Sequence, residues 1–365
     1  MRIHFISFDS KNKRGGSLYE SDMIDRLQKR FGDEQFKVIY HGKNLEGKPN
    51  PIFPHRDALK YASGYNKHAK EMLDCDYLWT NQTFHMYFMS FPWRLKKKNG
   101  CKLITITHHL DYLAQPGKMK RLRKKYFTKK LLKHTDCILT PNPYTRDQMK
   151  DMGFGDKTRL LEVYLDNTIP ETTLPREKFV LTLGAVEPRK GVEYGIEAFA
   201  KFSKDHPDYR YIIAGQIKAS LLDEDYYDQL KAQIRALGVE DKVTFTGKIS
   251  DKKKITLYQT AGMFLFPSQL EGYGWVMIEA MRYGNPVIAF DVSAMPYTVN
   301  SSNGMLIPNK DTDAMSKAMA SLADDPELYA RLAAGARDTV RALPNRETIE
   351  QQTEAFLDEI AQGKL

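Results

Sequence analysis

Two glutamates, Glu271 and Glu279, stand with seven residues between them in SQLEGYGWVMIEAMRYGNPVIAFD, the stretch from Ser268 to Asp291. An apolar run, MFLFP, ends at Pro267, and Gly272 and Gly274 permit a tight turn after it. A helix is predicted from about Trp275 to Tyr283, with Gly284 as its cap and Pro286 ahead of the next strand. Glycines just before a helix N-terminus expose unpaired N–H groups and the positive end of the helix dipole, which together seat a phosphate. Glu271 lies ahead of that seat. Glu279 falls about a turn inside the helix, where a carboxylate can accept two vicinal hydroxyls.

Other chemistry-bearing residues follow predicted strands. Arg189 and Lys190 sit between a strand and a helix in LTLGAVEPRKGVEYGIEAF, from Leu181 to Phe199. His108 and His109 follow an apolar run and bring imidazoles that can hydrogen-bond a hydroxyl. With Asp111 they lack the separated partners of a typical metal site, so no metal is expected. Arg14, Gly15 and Gly16 follow the first run, but R-G-G-S-L is not G-x-G-x-x-G, and a nicotinamide reading has little support. Gly215, Gln216 and Lys248 also occupy positions just after strands, where plain turn chemistry is the alternative to a binding role.

Short apolar runs alternating with longer helical text signal strand-helix-strand units and a parallel sheet. In the first half, strands are predicted at Ile3 to Phe8, Lys37 to Tyr40, Tyr77 to Thr80, Leu103 to Thr107 and Cys137 to Thr140. Near Thr168 the text NTIPETTLPREK breaks the pattern as a linker would. Beyond it, strands are predicted at Phe179 to Leu183, Tyr211 to Ala214, Val243 to Thr246, Met263 to Phe266 and Val287 to Phe290. The chain thus reads as α/β: a doubly wound, Rossmann-like domain over 1–168 and a second over 169–345. A helix over 346–365 would pack on whichever lobe it reaches, with the N-terminal domain the expected partner. No repeat of fixed period is present. Two such lobes would face each other across a cleft at the carboxyl ends of their strands, where open parallel sheets bind ligands.

The bulk properties agree. A chain of 365 residues exceeds the usual single core, and 42% hydrophobic with 28% charged residues excludes wholesale disorder or a fibre. No apolar run is long enough to span a bilayer, and MRIHFISFDS passes into polar text without a signal h-region. Cys75, Cys101 and Cys137 form neither a C-x-x-C pair nor an even set, which fits a reducing cytoplasm. Residues up to Pro170 carry a net charge of +14 and the remainder −5, so the first half attracts anionic partners.

The motif E-G-Y-G-x-x-x-x-E-A-M resembles the signature of retaining family-4 glycosyltransferases of GT-B fold. The resemblance implies that Glu271 contacts a donor sugar. It also implies that the backbone of Gly272, Tyr273 and Gly274 holds sugar and diphosphate, with Trp275 and Val276 beside it, and that Glu279 binds the ribose. The strand, loop and helix around Lys190 resemble the family's G-R-x-x-x-x-K-G phosphate grip, with Ala185 in place of its arginine. Arg189 stands ready to compensate, since lysine does not fully replace a bidentate guanidinium. His108 matches the family's strand-end histidine beside the donor sugar. Gly15 and Gly16 match a loop whose backbone approaches the donor or acceptor, and Gly215, Gln216 and Lys248 match loops that line the nucleotide of the donor. The implied activity is transfer of a hexose from a UDP- or GDP-sugar to a saccharide or lipid-linked acceptor. It would use no metal and no cofactor, the two lobes closing to exclude water. Lys190→Ala is expected to lower turnover with folding intact.

KMKRLRKKYFTKKLLKH, from Lys118 to His134, carries nine Lys or Arg and no acid. Leu122, Tyr126, Phe127, Leu131 and Leu132 are expected to give one greasy side to a basic helix. Its Lys120, Arg121, Arg123, Lys124 and Lys125 would meet an anionic membrane surface or an acceptor. A solvated face is the plain alternative, and no nucleic acid is expected because no reading module surrounds the segment. The rival functions are a sugar-nucleotide epimerase or phosphorylase of the same fold, and a non-catalytic polyanion-binding protein with a disabled donor site.

Overall fold

A computed structural model describes residues 1–8, 15–41, 74–81, 100–110, 117–172, 174–217 and 225–365. The chain divides into two compact units, one of Met1–Tyr164 with Arg346–Leu365 and the other of Leu165–Asn345.

Each unit holds a sheet of six parallel strands. The first comprises β1 (Ile3–Phe8), β2 (Phe36–His41), β3 (Tyr77–Asn81), β4 (Lys102–Ile106), β5 (Cys137–Thr140) and β6 (Thr158–Leu160). Its order is β2-β1-β3-β4-β5-β6. Strands β3 and β5 are buried at every position, so their text is continuously apolar or small rather than alternating. Helices α1 (Gly15–Gln35), α2 (Lys118–Leu132) and α3 (Pro143–Asp151) follow β1, β4 and β5. Helix α3 begins as its residues dictate: Pro143 occupies the first turn, and the Asn142 side chain accepts from the Thr145 N–H at 2.7 Å. The tail helix, here α10 (Arg346–Ala361), packs Phe356, Leu357 and Ile360 into the core of this unit, with Phe356 edge-on to Trp79 at 6.0 Å.

The second sheet comprises β7 (Phe179–Leu183), β8 (Arg210–Ala214), β9 (Val243–Gly247), β10 (Met263–Phe266), β11 (Val287–Phe290) and β12 (Gly304–Ile307), in the order β12-β11-β10-β7-β8-β9. That is the 3-2-1-4-5-6 winding of dinucleotide-binding domains. Helices α4 (Val192–Phe202), α5 (Tyr226–Leu237), α6 (Asp251–Thr260), α7 (Trp275–Arg282), α8 (Thr312–Asp324) and α9 (Pro326–Arg341) complete it. Arg176, before β7, donates to the carbonyls of Tyr258, Ala261 and Tyr283 and to Asn285, which ties α6 and α7 to the base of the sheet.

Ten predicted strands are present within one or two residues. The edge strands β6 and β12 were not predicted. β6 is TRL with Arg159 exposed, and β12 is GMLI with two half-buried residues; the other two edge strands, β2 and β9, were predicted. The expected single greasy side of α2 is also corrected. Leu131 and Leu132 are buried, whereas Leu122 and Tyr126 are 53% and 63% exposed on the opposite face. The helix has enough apolar residues for two faces, and periodicity cannot tell which one meets the core.

Candidate functional site

In the second unit the strand order reverses between β7 and β10, the switch point at which open parallel sheets bind ligands. The loops leaving these two strands carry Arg189, Lys190 and Glu271. They are laced together: the Gln269 N–H donates to the Arg189 carbonyl at 2.8 Å, and Arg189 Nη1 to the Leu270 carbonyl at 3.0 Å. Gly191 turns into α4 at φ 61°, and a Cβ there would lie 2.2 Å from the Pro267 carbonyl, so the close approach of the loops requires glycine.

Glu271, 8% exposed, is the hub. Its Oε1 accepts from Lys190 Nζ and, at 2.6 Å, from Ser268 Oγ, with Arg189 Nη1 3.6 Å away. Burial alone would raise this carboxyl. The Lys190 and Arg189 charges and the two hydrogen bonds outweigh it and hold the group below the ordinary glutamate value. Ser293 clamps the backbone, donating to the Glu271 carbonyl at 2.7 Å and accepting from its N–H at 3.0 Å. It does so at φ 57°, a strained conformation for serine that the surrounding bonds maintain. Arg189 also meets Glu187 at 2.6 Å and remains 36% exposed.

Gly274 caps α7 at φ 78°, and among the described residues no side chain caps the helix with it. The first-turn N–H groups at Trp275 and Val276 therefore face solvent or an anion. One turn on, Glu279 is fixed by neighbours: Tyr258 donates to Oε2 at 2.9 Å and Lys254 to Oε1 at 3.3 Å. Burial, reinforced by Glu279, raises the Tyr258 phenol far up, so it stays a donor. Ala185, Lys190 and Phe266 line a recess with room for about one water. Arg189, expected to compensate for the guanidinium missing at Ala185, pairs with Glu187 and the Leu270 carbonyl at the rim of the loop and keeps part of its surface exposed. Gly215 lies at the end of β8, its N–H bonded to the Gly247 carbonyl at 3.0 Å, and the Gln216 carbonyl accepts from Val186 at 3.0 Å. Lys248 is exposed beyond β9. Gly272 and Tyr273 are half-buried between the two glutamates.

The first unit has a second cluster, at its own switch point between β1 and β3. Glu20 of α1, 7% exposed, accepts from Ser7 Oγ at 3.1 Å and from Asn81 Nδ2 at 3.0 Å. His108 stands beside it with Nε2 3.8 Å from Oε1, edge-on to Tyr19 at 5.6 Å. Its Nε2 is buried and makes no hydrogen bond among the described residues. The His108 carbonyl accepts from Asn142 and Thr145, each at 3.0 Å, which fixes the strand end. Gly15 and Gly16 begin α1; Arg14 and Asp111 lie outside the described residues.

Sequence reading missed Ser268, Ser293, Tyr258 and Lys254 in the second unit and Ser7, Glu20 and Asn81 in the first. Strand-end position would have flagged Ser7 and Asn81. Nothing in the text joins Glu20 to His108 across 88 residues.

Residues 166–339 match the model of the family described as glycosyl transferases group 1, which takes in nearly the whole second unit. A lipopolysaccharide core biosynthesis mannosyltransferase, LpcC of Rhizobium leguminosarum, is 28% identical over 178 residues, 48% of this chain and 49% of its own. The chain spans about half the length of the curated relatives it matches. Among solved structures, sucrose-phosphate synthase of Thermosynechococcus elongatus superposes with TM-score 0.77 at 21% identity over 99% of both chains. Anabaena HepE in complex with UDP and glucose superposes with TM-score 0.72 at 19% identity over 98% of this chain and 99% of its own. The fold is thus the GT-B class, two Rossmann-like domains. No helix among the described residues is long and apolar enough to cross a membrane.

Proposed function

We propose that the chain is a retaining family-4 glycosyltransferase. It moves a hexose from a UDP- or GDP-sugar to a saccharide or lipid-linked acceptor, in the synthesis of a cell-surface polysaccharide or glycolipid at the cytoplasmic membrane face. The observation that carries this reading is the buried Glu271 gripped by Lys190 and Ser268, beside an α7 N-terminus that no side chain caps among the described residues. The named activity of LpcC and the UDP bound by HepE support it.

In this reading the diphosphate lies against the first-turn N–H groups of α7, and Glu271 meets the sugar. Glu279, held still by Tyr258 and Lys254, accepts the ribose hydroxyls. As the glycosidic bond breaks, charge grows on the leaving diphosphate. Donors already fixed in place stabilise it without reorganising: Lys190, the part-exposed Arg189 and the helix amides. These groups supply what a divalent ion would otherwise supply. His108 offers its unspent Nε2 to a hydroxyl of the reacting sugar.

The test is a thermal-shift panel of UDP, GDP and ADP, since a ligand of the folded state raises its melting point. The anomeric configuration of the product made with EDTA present follows by NMR. No shift with any nucleotide would overturn the reading, as would inversion or loss of activity in EDTA. A product formed from donor without acceptor would make the protein an epimerase.

A further inference from the structure

Four of the nine large apolar residues exposed among the described residues fall within nine positions of α2: Met119 at 79%, Leu122 at 53%, Tyr126 at 63% and Phe127 at 39%. The other five are scattered along the chain. Scattered apolar residues are ordinary, but a cluster needs a reason. At about 100° per residue, Met119, Leu122 and Tyr126 fall within about 60° of one another. Their mean direction lies about 160° from that of the buried Thr128, Leu131 and Leu132. The stripe therefore belongs to solvent and not to the core. By the same geometry Lys118 and Lys129 flank it on one side and Arg123 and Lys130 on the other. Their long stems can lie along an apolar surface while their charges reach outward.

The charge placement points the same way. The first turn of α2 holds Lys118, Lys120 and Arg121 and no acid, and Gly117 provides no side-chain cap. Cations at a helix N-terminus oppose the macrodipole and cost helix stability; an anionic surface would reverse that cost. The other end is firmly anchored. Lys157 Nζ donates to the carbonyls of Leu132 and Thr135 at 2.6 Å each and to that of Lys133 at 3.1 Å, while Leu131 and Leu132 enter the core. The helix is held by its last turn, and its first two turns present apolar and cationic groups together.

We infer that the outer face of α2 docks on an anionic lipid bilayer, with Met119, Leu122 and Tyr126 entering the headgroup boundary and the flanking Lys and Arg meeting lipid phosphates. A polyanion such as RNA would be held by the cations and gain nothing from Met119 or Leu122. The inference rests on the membrane-face placement in the proposed function and names its surface; lipid binding and nucleotide binding are measured separately, so either can fail alone.

The test is cosedimentation of the full chain with vesicles of phosphatidylcholine alone and of phosphatidylcholine mixed with phosphatidylglycerol. The protein should pellet with the mixed vesicles and stay in solution with the neutral ones. The triple variant M119S/L122S/Y126S should lose roughly tenfold or more of this binding, since the apolar area and the charge act together. Its melting point and its nucleotide-induced thermal shift should match those of the parent, because all three side chains are exposed. Equal binding to both vesicles would overturn the inference, as would no binding to either. Undiminished pelleting of the triple variant would overturn it too, showing a charge-only surface.

Discussion

The two units each place a polar cluster at the point where their strand order reverses, but they build it differently. In the second unit Glu271, Lys190, Arg189 and Glu187 come from two adjacent loops and are matched charge for charge. In the first, one buried carboxylate, Glu20, is held by neutral donors from two strands, with His108 brought up from a third. Among the described residues each cluster keeps a different group unspent: helix amides in the second, an imidazole nitrogen in the first. The first kind suits an anion and the second a hydroxyl, a division that matches donor phosphate and reacting sugar in the proposed activity.

The sharpest way to break this contrast is Lys190→Ala. If Lys190 stabilises a leaving diphosphate, turnover should fall about a hundred- to a thousand-fold, the ~2.7–4 kcal/mol that one such donor is worth. Structure alters the expectation for folding. Lys190 is 14% exposed against a buried carboxylate, so its loss should also destabilise the domain by about 3 kcal/mol. Adding Glu271→Gln should restore much of the melting point and none of the turnover, a coupling that a double-mutant cycle reads directly. In the first unit, His108→Ala should slow transfer about tenfold, the worth of roughly one hydrogen bond, and leave the UDP thermal shift unchanged. A weakened nucleotide shift in that variant would erase the division between the clusters.

Acid separates the hub from its surroundings. Because the Glu271 carboxyl lies below the ordinary 4.5 in the native state, the unfolded chain takes up its proton first as pH falls. The stability it contributes is complete above about 4.5 and is lost as pH drops through the lower, native value, at about 1.4 kcal/mol per unit of displacement. Melting curves from about pH 6 to about pH 3 should therefore fall more steeply for the parent than for Glu271→Gln. Parallel curves would mean that Lys190 and Arg189 do not hold the carboxylate as drawn.

The same contrast explains what could be read from the text alone. Central strands such as β7 and β10 are short apolar runs between turn residues, and a segment that folds onto its own neighbours, from Ser268 to Asp291, carries its grammar in order. The glycine turn and helix start beside Glu271 are local in that sense, whereas the grip of Lys190 on Glu271 spans 81 residues. Ser293, Tyr258 and the cluster around Glu20 are not local either. They are assembled by sheet order, which brings β1 beside β3 and β10 beside β7 and which no spacing records.

Tyr258→Phe tests the finest feature of the second cluster and should have the smallest effect. The ring is fully buried and stacks on Tyr283 at 5.8 Å, so phenylalanine should keep the packing and remove only the hydroxyl. Glu279 would then keep Lys254 as its partner and lose the bond that fixes Oε2. A hydrogen bond to a carboxylate is worth about 1.5–3 kcal/mol, and only the part that positions Glu279 reaches the donor, so KM for the donor should rise roughly two- to tenfold. If Glu279 accepts ribose hydroxyls, kcat should not change, because that contact is made equally in ground and transition states. The preference for a ribose donor over its 2′-deoxy analogue should shrink in step. A fall in kcat with KM unchanged would instead put Tyr258 at the reacting centre, and Glu279 with it.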